Sequence, residues 1–544
     1  MNMRILKKAL ALICTLTMVL SLAGCGDGAG ETKTGDGEES KVIQVKFYKA
    51  GYGEEWLQAM IKAFEEAYKE EGYKVEIVES SSTISTSSEQ EILLGPGKNK
   101  TDLYFTSGVS VSNVIDSSKK VLRTEDEVLL ESLEDIFRNP AIGADKKEEE
   151  KTIEERLFPG LEESLHYRGA NEKWQSDRYT IPWALGATGL VMNNSIMEKY
   201  GLDIPLTSNE FAAVLETIEK KGEADGVHPY SWSGNNAPGY WTYLYDTWFA
   251  QYSGAEAYNN FWATNPASGD VRSDGWQVYE DQGILEALKA MDKIMDLDYS
   301  ADGSVNMTHL EAQHELLTGK AAFMVSGDWM LNEMKNEYYE EASQVSMLKA
   351  PVLPVIGEEI GISDAQLHTV VEMIDNGSDA ADIKAAVSGL TDEGLSRVQN
   401  ARNAYSSIGV THQILVPSYS DAKTAVKAFL RFMYSEDGCR IFREQAYSLL
   451  PISTSETEEA PTVFQKSIEE LTGDGQAVAL FQDSEASQIR AKSGMLPFNY
   501  SAFAHPNTFR AMMTDEKITA EYIYDTELAY VKANWATYVS YAGE

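Results

Sequence analysis

Residues 42–78 decide the fold class, with VIQVKFY at 42–48, EEWLQAMIKAFEEAY at 54–68 and YKVEIV at 73–78. The first and third pieces alternate apolar and polar residues, which is typical of strands with one buried face. The middle piece repeats apolar residues every three or four positions and therefore predicts an amphipathic helix. A short apolar run at 103–105 predicts a further strand. Strands that alternate with helices favour an α/β fold with parallel strands.

Later segments continue this alternation. YTIPW at 179–183 predicts an edge or crossover strand, because its proline has no amide to donate. TSNE at 207–210 is a capping box and begins an amphipathic helix. Further strands are predicted at 320–325, before a turn and a helix, and at 410–416.

Two polar stretches interrupt the pattern. Residues 117–157 are dominated by charged side chains, and we expect surface helices and loops there. Residues 357–405 are acidic and helical in pattern with glycine and serine breaks, which predicts a helical insertion. No unit of 20–50 residues repeats, so solenoids and propellers are disfavoured.

The N-terminus has the pattern of an export leader. Three cations precede an apolar run from Ala9 to Leu22, which is shorter than a membrane span of about 20 residues. The run ends in LAGC, similar to the bacterial lipobox, so we predict a signal peptide over 1–24 and a diacylated, palmitate-bearing Cys25. An uncleaved anchor helix and an ordinary signal peptide are the alternatives. Residues 25–40 are polar and predict a flexible tether.

Charge and cysteine content limit the function further. The chain has 85 acidic against 46 basic residues and a net charge of −39, which opposes nucleic-acid binding and disfavours anionic small ligands. Beyond the leader and Cys25 only Cys439 remains, in an apolar helical pattern. We predict that it is buried and forms no internal disulfide.

Catalytic and cofactor motifs are weak or missing. The sequence contains no G-x-S-x-G elbow and no phosphate-binding glycine loop, and its histidines lack metal-ligand spacing. Asp298-x-Ser300-x-Asp302-Gly303 resembles the start of a calcium loop, but His309 stands where a bidentate glutamate is needed. We therefore predict no metal and no cofactor. A pair of carboxylates for glycoside hydrolysis stays open, because their separation depends on the fold.

Aromatic residues are concentrated in one part of the chain. Residues 228–262 contain four of the ten tryptophans, together with six tyrosines and several amide side chains. A sugar ring has an apolar C–H face and a rim of hydroxyls, so aromatic faces beside amides and carboxylates suit it. Core packing is the alternative for any single tryptophan.

Four segments together resemble one family, the extracellular solute-binding proteins of carbohydrate ABC transporters, which include maltose- and multiple-sugar-binding proteins. The segments are 179–194, 200–211, 319–329 and 425–438. Ser208 replaces a tryptophan that is usual there, and the chain is longer than typical members. The resemblance implies a periplasmic-binding-protein-like fold with two discontinuous α/β lobes, a hinge and an interlobe cleft. By analogy, lobe 1 takes 41–183 and 406–452, and lobe 2 takes 184–405 and 453–544.

The resemblance also implies ligand contacts in the cleft. The residues expected to act as aromatic platforms are Trp329, Trp232, Tyr230, Trp241 and Trp183. The residues expected as hydroxyl-rim partners or strand-end contacts are Asp328, Asn235, Asn236, Tyr52 and Ser107.

The resulting hypothesis is a lipid-anchored, extracytoplasmic and monomeric binding protein at the cell membrane. It is not an enzyme; it captures a sugar or oligosaccharide and delivers it to the permease of an ABC importer. Two rivals are a secreted glycoside hydrolase and a binding protein for a non-sugar ligand such as a peptide.

Overall fold

The structure is a computed structural model, and its compact body spans Ser40–Glu544. It describes residues 39–82, 87–169, 171–455, 460, 462–473, 476–493 and 508–542. The predicted signal peptide, Cys25 and most of the predicted tether lie outside these residues. Within them, no helix is both long and apolar enough to cross a membrane.

Thirteen strands are described, and most belong to two sheets. In chain order they are β1 Val42–Tyr48, β2 Lys74–Ser81, β3 Leu103–Ser107, β4 Pro140–Ile142, β5 Glu148–Thr152, β6 Ile181–Pro182, β7 Ala187–Asn193, β8 His228–Tyr230, β9 Ala321–Gly327, β10 Val345–Leu348, β11 Ala404–Ser407, β12 His412–Leu415 and β13 Val478–Phe481.

The first sheet has the order β2-β1-β3-β12-β6. Strand β1 pairs in parallel with β2 and β3, as the alternation of residues 42–105 predicts. Strand β12 instead runs antiparallel to both of its neighbours, so the sheet is mixed rather than wholly parallel. Strand β6 carries Pro182 at the edge, which confirms the prediction made from that proline.

The second sheet has the order β13-β11-β7-β9-β8, and β10 adds to β7. Its strands come from two stretches of the chain, 187–407 and 478–481, because β12 of the first sheet lies between them. We call the parts of the molecule built on the first and second sheets the first and second lobes.

Helices cover both sheets. Their bounds are Glu55–Ala67, Ser87–Ile92, Val111–Leu122, Glu134–Phe137, Ile153–Arg156, Asn194–Tyr200, Ser208–Gly222, Thr242–Ser253, Ala255–Ala263, Val271–Asp274, Gln282–Asp292, His309–Leu317, Met330–Tyr338, Pro354–Glu359, Asp364–Asp375, Ala380–Ala386, Asp392–Arg402, Lys423–Met433, Glu436–Ala446, Val463–Thr472, Gln488–Ser493, Thr508–Thr514 and Ala520–Tyr541.

Local signals explain several of these elements. Helix Glu55–Ala67 buries Trp56, Leu57, Met60 and Phe64, which form the apolar stripe seen in the sequence. The capping box at Thr207 is present in both directions, because its hydroxyl accepts from the Glu210 amide and the Glu210 carboxylate accepts from the Thr207 amide. The stretch predicted as an insertion is largely helical.

The prediction for residues 117–157 is partly wrong. Strands β4 and β5 form an antiparallel hairpin there, and Leu130, Ile136 and Phe137 are buried. The few apolar residues among the charges are enough to attach this stretch to the first lobe, because Ile136 and Phe137 join its hydrophobic core.

Three chain segments pass between the two sheets, and they are hydrogen-bonded to one another. The Leu185 amide donates to Leu449 O at 2.8 Å, and the Ile408 amide donates to Gly186 O at 3.0 Å. The Ser407 hydroxyl also donates to Leu185 O at 2.7 Å. The connections from β6 to β7 and from β11 to β12 therefore cross side by side, which is the connectivity of a hinge.

Candidate functional site

The turn after β9 brings the second lobe into contact with the first. Gly327 ends the strand, and the Trp329 ring folds back so closely that a Cβ on Gly327 would lie 2.2 Å from it. Trp329 packs into the hydrophobic core of the first lobe, although its strand belongs to the second sheet. Gly51 allows this approach, because a Cβ there would lie 2.7 Å from the Trp329 ring.

Rings from both lobes meet around Trp329. We call this set the interlobe aromatic cluster, and it consists of Tyr52, Trp183, Tyr240, Tyr243, Trp329 and His412. Tyr52 lies 5.5 Å from Trp183, 6.2 Å from Trp329 and 5.5 Å from His412, measured between ring centroids. Tyr240 lies 6.0 Å from Trp329 and 5.5 Å from Tyr243. The cluster is therefore continuous from the first lobe to the second.

Asp328 joins the two lobes and the hinge. Its Oδ1 accepts from the Tyr52 hydroxyl at 2.6 Å, and its Oδ2 accepts from the Ser448 hydroxyl at 2.7 Å and the Ala187 amide at 3.2 Å. Burial raises the pKa of Asp328 to about 6, against hydrogen bonds that favour the carboxylate. Both oxygens already have protein partners, so in this conformation Asp328 holds the lobes together instead of offering a hydroxyl-rim contact.

His412, the first residue of β12, also belongs to the cluster. Its ring lies 4.9 Å from Trp183, and burial lowers its pKa to about 3, so the imidazole is neutral. Its Nδ1 has no hydrogen-bond partner. The Trp183 indole N–H donates to Thr106 O at 3.0 Å, and its ring stacks on Trp56 at 5.9 Å, which places Trp183 in the first lobe's core.

The aromatic platforms predicted within residues 228–262 are not members of the interlobe aromatic cluster. Tyr230, Trp232 and Trp241 belong to the hydrophobic core of the second lobe and are at most 1% exposed. The Tyr230 hydroxyl donates to Asp296 O, and its ring packs on Trp241 at 4.9 Å. In this conformation these three rings have no face free for a ligand.

The remaining predicted residues are near the edges of the lobe contact. Asn236 binds the start of helix His309–Leu317, because its Oδ1 accepts from the His309 amide at 2.8 Å. The side chain of Asn235 is exposed, and its amide donates to Met307 O. Ser107 ends β3 opposite His412 and is half-buried.

Tyr52, Trp183 and Asp328 are 0% exposed and Trp329 is 6% exposed, so a ligand can reach them only when the lobes separate.

Sequence reasoning missed several members of this contact. Tyr240 packs against three separate hydrophobic cores, and Tyr243 packs against two, so both lie where the lobes meet. Glu333 is four residues after Trp329 on one helix, a spacing that places both on the same face. That spacing was a readable signal, whereas nothing in the sequence points to His412.

The calcium-like segment and the lone cysteine have structural roles. Residues 297–299 and 304–306 form short 3₁₀ turns, and the Ala301 amide donates to Tyr230 O. Among the described residues, no three His, Cys, Asp or Glu side chains converge as a metal site would require. Cys439 is buried as predicted, and burial raises its pKa to about 12.

Residues 50–438 match the sequence profile of the family described as bacterial extracellular solute-binding protein. The chain belongs to this family. Its members are solute receptors and not enzymes, and the family name places them outside the cytoplasm. No curated protein sequence matches the chain.

Solved structures of solute-binding proteins share the fold. The bacterial solute receptor AcbH, whose substrate preference is described as exclusive for b-D-galactopyranose, is 12% identical with a TM-score of 0.57 over 91% of this chain and 99% of that one. RafE in complex with raffinose is 12% identical with a TM-score of 0.51 over 91% and 99%. A solute-binding protein from Thermotoga lettingae bound to alpha-D-tagatose is 16% identical with a TM-score of 0.53 over 92% and 100%. At these identities the likeness establishes the two-lobed fold.

Proposed function

We propose that this solute-binding protein captures a sugar or oligosaccharide between its lobes and delivers it to an ABC importer. The observation that carries the proposal is the interlobe aromatic cluster, where rings of both lobes meet beside the hinge. Rings such as Trp329 and Tyr240 offer the apolar faces that a sugar requires, and separation of the lobes would uncover them. The sugar ligands named for AcbH, RafE and the Thermotoga protein agree with this chemistry.

The mechanism is closure of a hinged pair of lobes around the ligand. The described conformation is closed, with the Tyr52 hydroxyl on Asp328 and the Asn332 amide on Gly51 O at 2.7 Å. Opening would break these contacts and free Tyr52, Trp329 and Tyr240. A sugar that bridges both lobes binds the closed state more tightly than the open one, so it shifts the population towards closure.

The lobe boundaries, the anchor and the delivery step are parts of the same proposal. We assign 41–183 with 408–452 to lobe 1 and 184–407 with 453–544 to lobe 2, since the boundary at 405/406 expected from the sequence would divide β11, which pairs within the second sheet. Cys25 carries the lipid, and residues 25–40 leave the lobes free to reach a permease from the outer face of the cell membrane. Replacing Cys25 by serine should release the protein from membranes and abolish palmitate labelling, and retention of both would contradict the anchor.

The test of binding is a thermal-shift screen with neutral mono- and oligosaccharides and with short peptides. A ligand present at 100 times its dissociation constant adds about 2.7 kcal/mol to the free energy of unfolding. Sugars should raise the melting temperature and come back chemically unchanged. Stabilisation by peptides alone would favour the peptide-binding rival, and release of reducing ends from polysaccharides would favour the hydrolase.

A further inference from the structure

We propose that Glu333 makes the interlobe site select against sugars with a negative charge, so that the ligand is neutral or carries an amine. This inference rests on the proposed function, because it names the class of sugar that the same site accepts.

Glu333 lies against both lobes. Its Oε1 is beside Gly51 of the first lobe, 2.7 Å from the position that a Cβ would occupy there. Its charge also acts on three tyrosine hydroxyls of this region. Burial is the largest cause of the raised pKa of Tyr48, Tyr52 and Tyr240, and the charge of Glu333 adds to it in all three. The carboxylate is therefore part of the wall that surrounds the rings.

The negative charge of Glu333 is not cancelled by a fixed cation. Its partners are the Gln313 amide at 2.7 Å and the His309 Nε2 at 3.4 Å. Among the described residues it pairs with no lysine or arginine. Asn236 faces the other side of this histidine, since its Oδ1 accepts from the His309 amide and its Nδ2 lies 2.8 Å from Nδ1. Glu333 raises the pKa of His309, so the imidazolium that could offset the carboxylate is lost as the pH rises.

Two amide side chains and a neutral imidazole also lie in this region. The Gln313 Oε1 and Asn332 Oδ1 atoms are buried and have no partner, and His412 is neutral. Donors on a ligand, such as hydroxyls or an ammonium group, can satisfy these acceptors. A ligand carboxylate about 7 Å from Glu333 would bind roughly fiftyfold more weakly than its neutral counterpart, at an effective dielectric constant of about 20.

Isothermal titration calorimetry at pH 7 on the protein without its leader tests the inference with matched sugars. The first two sets are galactose, galacturonate and galactosamine, and the same three forms of glucose. The third set is N-acetylchitotriose, trigalacturonate and the chitosan trimer. Within each set that binds, the acidic sugar should bind at least tenfold more weakly than the neutral one.

Two variants locate the cause. Glu333→Gln should raise the ratio of acidic to neutral affinity at least fivefold. Glu337→Gln removes the same charge from an exposed position one turn further along the helix, and it should leave that ratio unchanged.

Each failure has a distinct meaning. An acidic sugar that binds as tightly as its neutral counterpart would overturn this inference and leave the proposed function standing. A ratio that Glu333→Gln does not change would overturn the role of this residue. If no sugar of any set binds and the thermal-shift screen also finds no sugar, the proposed function fails and this inference fails with it.

Discussion

The aromatic-rich segment 228–262 and the interlobe aromatic cluster contain the same kinds of side chain in opposite settings. In the segment, Trp232, Trp241 and Trp248 all belong to one hydrophobic core and are at most 1% exposed. In the cluster, the rings come from five separate parts of the chain and meet between two lobes. Of these two groups of rings, only the cluster combines residues of both lobes.

The difference shows that the density of aromatic residues along the sequence does not predict which rings meet between the lobes. Residues close in sequence on one helix or turn tend to pack into one core, which is how an α/β lobe acquires its interior. A cleft between discontinuous lobes is instead assembled from strand ends and loops that are distant in sequence. Tyr240 and Tyr243 are the exceptions, since they lie in the segment and also reach the lobe contact.

Replacing Trp232 or Trp329 by alanine should distinguish the aromatic-rich segment from the interlobe aromatic cluster most clearly. Trp232→Ala leaves a large cavity in the second lobe and should lower the free energy of unfolding by about 3–5 kcal/mol. Trp329→Ala lies at a boundary that can close, so we expect a smaller loss of stability together with loss of sugar binding. Urea unfolding and calorimetry measure the two effects, and equal stability losses would erase the distinction.

Asp246 tests the electrostatics of the segment. Burial raises its pKa to about 7, although Gln482 donates to it at 2.7 Å, so the folded state holds its proton more tightly than the unfolded state. Its contribution to stability is present below the ordinary pKa near 4 and is lost as the pH rises through 7. Asp246→Asn removes this loss. The free energy of unfolding of the variant minus that of the native protein should therefore be about 2–3 kcal/mol larger at pH 8 than at pH 5. Urea titrations at both values measure it, and a constant difference would contradict the buried carboxylate.

Tyr52→Phe tests the contact between the lobes. The change removes the hydroxyl that donates to the buried Asp328 and should cost about 1–2 kcal/mol of stability at pH 7. It should also favour the open form, which small-angle scattering detects as a larger radius of gyration without ligand. Tyr200→Phe is the control, because its hydroxyl bonds Asp225 at the surface. An unchanged radius for Tyr52→Phe would show that this bond does not hold the lobes together.

The smallest expected effect is a pH dependence of sugar selectivity. Glu333 raises the pKa of His309, and burial raises the pKa of Asp328, so acid adds positive charge or removes negative charge beside the rings. Discrimination against acidic sugars should therefore weaken severalfold from pH 8 to pH 6. Calorimetry with the galactose set measures it, and stronger discrimination at pH 6 would have the wrong sign.

The fold was largely predictable from the sequence because its signals are local. Alternation gives the strand Val42–Tyr48, and apolar spacing gives the helix Glu55–Ala67. The hairpin of β4 and β5 was not predictable, since a few buried side chains outweigh the charge around them. The candidate site was harder still to predict, because whether Trp232 or Trp329 lies between the lobes depends on contacts between segments far apart in sequence.

A crystal structure with a bound neutral sugar tests the central claim most directly. We predict that the sugar lies between the lobes, in contact with Trp329, Tyr240 and Tyr52, and that Trp232 stays in its core. The chain also has a cavity of about 560 Å³ beside Phe158, Cys439 and Leu450, and none of these rings lines it. A sugar seated in that cavity, or stacked on Trp232, would contradict the account.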